Sequence, residues 1–179
     1  MNDTNRSLLT EPASPAGPRL EGRPGTFIRA WLPAFFWLCV IAFESTDLLS
    51  AAHTSRILFP FFHHFFGMTL EQFAPINFAL RKTGHVFGYG FLSLLLYRGW
   101  RYTIPLAENP RWAMVWSRVA LLSTAFVATL DEWHQSFLPS RTGTFHDVVL
   151  DTAAGVAAQL GLYLFLTRRR TLKSMSRLG

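Results

Sequence analysis

The stretch Leu130–Asp151, LDEWHQSFLPSRTGTFHDVVLD, constrains this chain more than any other. It carries Asp131, Glu132, Asp147 and Asp151, with His134, Gln135, Arg141 and His146 between them. Apolar runs flank it on both sides, Ala113–Leu130 before and Val148–Leu166 after. Each approaches the length of about 20 residues that crosses roughly 30 Å of hydrocarbon. A charged side chain at the centre of a bilayer costs roughly 2.5–3.5 kcal/mol on insertion scales, so such residues mark sites. The pattern describes a small membrane protein that holds a polar cluster at one membrane face.

The rest of the chain agrees with that class. Of 179 residues, half are hydrophobic and only 16% are charged, low for a soluble domain. Four membrane spans are expected, at 26–43, 78–100, 113–130 and 148–166. The expected fold is therefore all-α and polytopic, four transmembrane helices in a compact bundle. Residues 1–25 are rich in Pro, Ser, Gly and Arg and read as a disordered cytoplasmic tail. Residues 167–179 form a basic tail. Between the first two spans, 48–75 is aromatic but interrupted by His53, Arg56, His63, His64 and Glu71, which suggests an interfacial or re-entrant segment. Pro75 suits the first turn of the second helix. Gly84 with Gly88, Ala154 with Ala158, and Ala157 with Gly161 have the spacing of close helix contacts.

Several chemistries are excluded or weak. Cys39 is alone, so no disulfide forms within the chain and no thiolate metal site exists. There is no glycine-rich phosphate loop and no GxSxG elbow. His85, His134 and one carboxylate could meet around zinc, but their spacing matches no zinc motif; no metal and no cofactor are expected. The net charge is +6, yet the basic residues flank apolar runs and do not pattern a polar surface, which argues against nucleic acid. The expected partner is membrane lipid. Of the 17 basic residues, 13 fall in the two tails, the connector between spans two and three, and the span ends beside them. The positive-inside rule places that set, and both termini, in the cytoplasm.

The polar residues then share the opposite face. Ser45 stands in the polar knot Glu44–Asp47 after span one. Lys82, His85 and Tyr89 fall at i, i+3 and i+7 and share a helix face. Asp147 and Asp151, four apart, share a face that Ala154 and Ala158 continue. Lys82 is expected to neutralise Glu132 or Asp151, because buried charges need partners. Thr144-x-x-Asp147 has the form of a capping box. Arg141 either holds loop carbonyls or grips an anion in bidentate fashion.

At these residues the chain resembles the VanZ family. The matching pieces are Lys82-x-x-His85-x-x-x-Tyr89, then Asp131-Glu132-x-His134-Gln135-x-Phe137-x-Pro139-x-Arg141-Thr142-Gly143, then Asp147 and Gly155, with Ser45 similar to the family's polar stop after span one. The resemblance covers roughly residues 30–166. It implies a multi-pass protein of the bacterial cytoplasmic membrane and a theme, the cell envelope and low-level teicoplanin resistance, but not a reaction. Joined to the one-face convergence, it leads to an expected site for an extracytoplasmic anionic or lipid-linked substrate, such as a cell-wall precursor. Glu132 or Asp131 would act as acid or base, His134 and His85 as proton partners, and Lys82 and Arg141 as anion contacts. Gln135, Asp147, Asp151, Tyr89 and Ser45 would complete the site. The alternative is a non-catalytic scaffold or small transporter whose buried charge pairs fix helix packing.

Overall fold

Five helices follow one another in the computed structural model: α1 (Pro24–Glu44), α2 (Ala51–Phe66), α3 (Leu70–Thr103), α4 (Met114–Gln135) and α5 (Phe145–Met175). The structure describes residues 24–47, 50–106, 110, 112–139, 141 and 143–175. The expected tail at 1–25 lies outside them except for its last two residues, and Thr142 lies outside them too. No strand occurs among the described residues, as an all-α fold requires. Helix α5 runs on to Met175, into the expected basic tail at 167–179, whose last four residues lie outside the described ones.

Three helices are long and apolar enough to cross a membrane: α1 over Thr26–Glu44, α4, and α5 over Phe145–Arg168. They match three of the four expected spans. The expected second span does not meet that standard. It lies inside α3, a 34-residue helix whose apolar stretch is bounded by Arg81 and Lys82 on one side and Arg98 and Arg101 on the other. Helix α3 also starts earlier than Pro75 suggests. Thr69 caps it, its side chain accepting from the Gln72 N–H while the Gln72 side chain accepts from the Thr69 N–H. That reciprocal cap satisfies two N–H groups that the first turn leaves free, and Pro75 sits inside the helix. The segment 48–75 is thus mostly regular: α2, a turn at Gly67 (φ 63°) where a side chain would be strained, and the first turn of α3.

Helix α3 is the hub, packed against α1, α4, α5 and α2. Trp31 donates to Thr103 and Trp37 to the Gly88 carbonyl, so α1 runs antiparallel to α3. Tyr89 meets Asp131 and Trp100 meets Ser123, so α4 is antiparallel as well. Lys82 meets Asp147, His85 meets Asp151 and Ser93 meets Gln159, so α5 runs parallel to α3. Along α4 the buried face includes Trp116, Ala120, Thr124, Ala128 and Glu132, a stripe of five residues spaced four apart that faces the bundle and ends in a carboxylate. The opposite faces expose Phe35, Phe36, Leu122 and Phe126, as lipid-facing surfaces do.

Of the small-residue pairs, Ala154/Ala158 packs closely as its spacing suggests, against Gly90 of α3. Gly90 receives α5, its Cβ position 3.5 Å from the Ala154 carbonyl oxygen and 3.7 Å from the Ala158 Cβ. A Cβ on Gly84, Gly88 or Gly161 would meet nothing within 4 Å, and Ala157 is exposed, so the pairs Gly84/Gly88 and Ala157/Gly161 do not make the expected contacts.

Candidate functional site

The polar residues gather where the ends of α1 and α4 meet the start of α5 and the middle of α3. Each helix delivers one or two turns. From α3, Lys82 forms an ion pair with Asp147, and one turn on His85 Nδ1 is 3.3 Å from Asp151 Oδ2. Tyr89 follows and donates to Asp131 Oδ2 at 2.8 Å, its ring stacked on His85 with centroids 6.1 Å apart. Three consecutive polar positions of one α3 face therefore each meet a carboxylate on α4 or α5.

Two of these partners differ from expectation. Lys82 engages Asp147, not Glu132 or Asp151, because α3 and α5 run parallel and place their charged turns side by side. Only half of the expected capping box forms. The Thr144 hydroxyl accepts the Asp147 N–H at 3.3 Å, but the Asp147 carboxylate turns to Lys82. The Thr144 N–H goes instead to Glu132 Oε2, at 2.9 Å, so the last turn of α4 supplies the acceptor at the start of α5.

Arg141, in the loop between α4 and α5, donates to the Glu44 carbonyl, to the Thr46 carbonyl at 2.9 Å and to Gln135 Oε1 at 3.4 Å. A cation against the Glu44 carbonyl, the last of α1, complements that helix's negative end. Burial, and then the nearby Arg81, hold the Arg141 proton affinity below its ordinary value. Its carbonyl-holding role is thus realised, while its Nε remains without a partner among the described residues. Ser45 is buried and its Oγ lies 3.3 Å from His134 Nδ1. His134 itself is exposed and belongs with Ser45 rather than with His85. His146 is exposed as well, and His53 contacts Ser50.

A cavity of about 780 Å³ opens beside this cluster. Arg56, Arg81, Lys82 and Arg141 line it together with His85, Gln135 and Asp147, while Phe59, Leu70, Phe78 and Ala74 form an apolar wall. Lys82 Nζ also stands 5.5 Å from the centre of the Phe78 ring. Arg56 and Arg81 were not singled out by sequence reasoning. For Arg81 a signal exists: Phe78, Arg81, Lys82 and His85 follow i, i+3, i+4, i+7 and so share one face. For Arg56 there is none, since only the packing of α2 on α3 brings it to the cavity. Below the site, Gln159 donates to the Ser93 carbonyl at 3.0 Å and to its hydroxyl at 3.1 Å, a buried polar pair that joins α5 to α3.

A family model described as VanZ/LLP1 matches residues 30–167, from within α1 to within α5. No curated protein and no solved structure matches the chain.

Proposed function

The chain belongs to the VanZ/LLP1 family, and we propose that it is an integral protein of the bacterial cytoplasmic membrane that binds an anionic, lipid-linked ligand from the extracytoplasmic side. The observation that carries this reading is the cavity, which sets Arg56, Arg81, Lys82 and Arg141 against an apolar wall. Cations suit a phosphate or carboxylate, and the wall suits the hydrocarbon beside it.

On this reading α3 is the fourth span. Its packing among α1, α4 and α5 supports this. From His85 to its end at Thr103 it rises about 27 Å, close to the hydrocarbon thickness. The cluster then sits at one face of the bilayer, and the first turns of α3 with α2 project beyond it. The distribution of basic residues supports cytoplasmic termini and an extracytoplasmic site. The neighbouring Asp131, Glu132 and His85 are the groups that would process a bound ligand, with His134 and Ser45 beside them. A connection to the cell wall and to teicoplanin resistance belongs to the same proposal.

Native mass spectrometry of the detergent-purified protein tests it, with phosphatidylglycerol, a polyprenyl phosphate and phosphatidylcholine as competing ligands. Arg56 and Arg81 are expected to supply charge-assisted contacts of about 1.5–3 kcal/mol each, so Arg81→Ala should weaken anionic-lipid retention by about tenfold or more. Equal retention of all three lipids, or no change in Arg56→Ala and Arg81→Ala, refutes the reading.

A second reading, a non-catalytic scaffold or small transporter, draws support from the engagement of Lys82 and Arg141 by protein groups. On that reading Lys82→Ala lowers thermal stability while Arg56→Ala and Arg81→Ala leave lipid retention unchanged.

A further inference from the structure

The carboxylates beneath the cavity lack partners in a way that an anion pocket does not address. Asp151 is fully buried and Glu132 is 4% exposed. Asp151 Oδ1 and Glu132 Oε1 are both enclosed without a hydrogen-bond partner among the described residues. A buried carboxylate in that condition is strongly disfavoured unless a proton neutralises it or a cation stands between the oxygens. The nearby cations are committed: Lys82 to Asp147, and Arg141 to Gln135 and the carbonyls of Glu44 and Thr46. Arg81 is within Coulombic reach of Asp147 and Glu132 but makes no ion pair with either. The positive end of α5 favours Asp147 in its first turn, and that effect fades before Asp151.

One ligand atom from each of His85, Glu132 and Asp151 lies within 4.8 Å of the others. We propose that these three residues bind a single divalent transition-metal ion, zinc or manganese. An imidazole nitrogen with two carboxylates is a donor set for such ions, whereas calcium and magnesium prefer oxygen alone and soft ions prefer thiolates. Zinc bonds of about 2.0–2.1 Å in a tetrahedron separate neighbouring ligand atoms by roughly 3.4 Å. His85 Nδ1 and Asp151 Oδ2 already stand 3.3 Å apart, and the third ligand needs to close by only a short distance.

The surroundings resemble those of an open metal centre. Three protein ligands leave a fourth position free, as catalytic zinc sites do. Of the three ligands His85 lines the large cavity, so the site borders it. Glu132 Oε2 is held by the Thr144 N–H and the His85 ring is stacked on Tyr89, contacts of the kind that orient metal ligands. The three ligands come from α3, α4 and α5, which is why no sequence spacing announces them. The site does not depend on the lipid-binding proposal, since an ion can bind whether or not the cavity takes an anion.

The test uses the full chain in detergent, stripped with a chelator, reloaded with zinc or manganese chloride and desalted. Elemental analysis by mass spectrometry should find about one ion per chain. His85→Gln and Glu132→Gln should each weaken zinc binding in calorimetric titration by about tenfold or more. His64→Gln and His146→Gln, at histidines outside the cluster, should keep the wild-type stoichiometry. If either cluster variant fails to fold, cobalt loading of the wild-type chain decides, because a site of this kind should give visible d–d absorption that zinc abolishes. The proposal is overturned by a wild-type chain without bound ion or cobalt spectrum, by cluster variants that bind as well as wild type, or by loss on replacing His64 or His146.

Discussion

Gly143→Ala should destabilise the protein far more than Gly84→Ala, although Gly84 is the one whose spacing suggests helix contact. A Cβ at Gly143 would overlap the Glu132 carbonyl oxygen and stand 2.9 Å from the Ser136 nitrogen. Both atoms are backbone at the C-terminal end of α4 and its cap, where the Ser136 N–H already donates to the Glu132 carbonyl at 3.0 Å. Neither can swing aside as a flexible side chain would. Gly143 is not at positive φ, so the demand for glycine here is proximity alone. Overpacking of this kind costs typically about 1–3 kcal/mol. Moving the loop also pulls the Thr144 N–H off Glu132, a charge-assisted bond of about 1.5–3 kcal/mol. A total near 3 kcal/mol or more corresponds to a fall in Tm of about 6–12 °C for a chain of this size. Gly84 has nothing within 4 Å of its Cβ position and lies inside α3. Alanine there should gain about 0.5–1 kcal/mol, a rise of about 1–4 °C. The chain has 6 tryptophans, so intrinsic fluorescence during heating in detergent reads both variants. A Gly143→Ala protein that melts within about 2 °C of wild type, or a Gly84→Ala protein damaged as much, refutes the close approach of the loop to α4.

Three further outcomes follow from the helix contacts. Lys82 and Asp147 side chains are 29% and 17% exposed, between the surface and buried limits, so Lys82→Ala should cost about 1–3 kcal/mol. Removing Asp147 as well should restore part of it, and a double-mutant cycle of melting measurements checks this. Gln159→Leu removes both bonds to Ser93 and should destabilise by about 0.6–1.7 kcal/mol, the range for interhelical hydrogen bonds in membranes, measured in the same way. In a Cys39→Ser background, a cysteine replacing Ser136 should react with an impermeant maleimide in intact cells, and one replacing Ser174 only after lysis; the reverse pattern inverts the proposed topology.

What the sequence revealed depended on whether the signal was local. The apolar runs of α1, α4 and α5 are self-contained, and the helices match three expected spans to within a few residues. The face Lys82, His85, Tyr89 is a property of one helix and was readable from spacing. The extent of α3 was harder, because its polar first half resembles a loop; Thr69 and Gln72 carried the capping signal that marks its start. Partner choice was not readable at all. Lys82 meets Asp147 through the parallel register of α3 and α5, and no single segment encodes that register. The role of Gly143 likewise depends on what lies opposite it. Arg56 reaches the cavity only because Phe59 and Phe62 of α2 pack on Phe73 of α3.

The α4–α5 corner accounts for how several carboxylates share one end of the bundle. A helix begins with N–H groups that have no partner in their own helix and a partial positive charge. At the start of α5, the Thr144 N–H donates to Glu132 Oε2 and the first turn carries Asp147. Glu132 projects from the C-terminal end of α4, where the helix field disfavours a negative charge, so its stable direction is across the corner. The glycine at 143 lets the chain pass close enough for that crossing. Arg141 ties the same corner to the last carbonyl of α1 and to the turn after it, and Lys82 ties it to α3. These contacts satisfy Asp147 and one oxygen of Glu132. They leave Asp151 to His85 alone, one turn deeper and fully buried. The unmet electrostatic demand therefore falls on Asp151 Oδ1 and Glu132 Oε1, on either side of His85, and any ligand, proton or ion that relieves it must reach the point where α3, α4 and α5 meet.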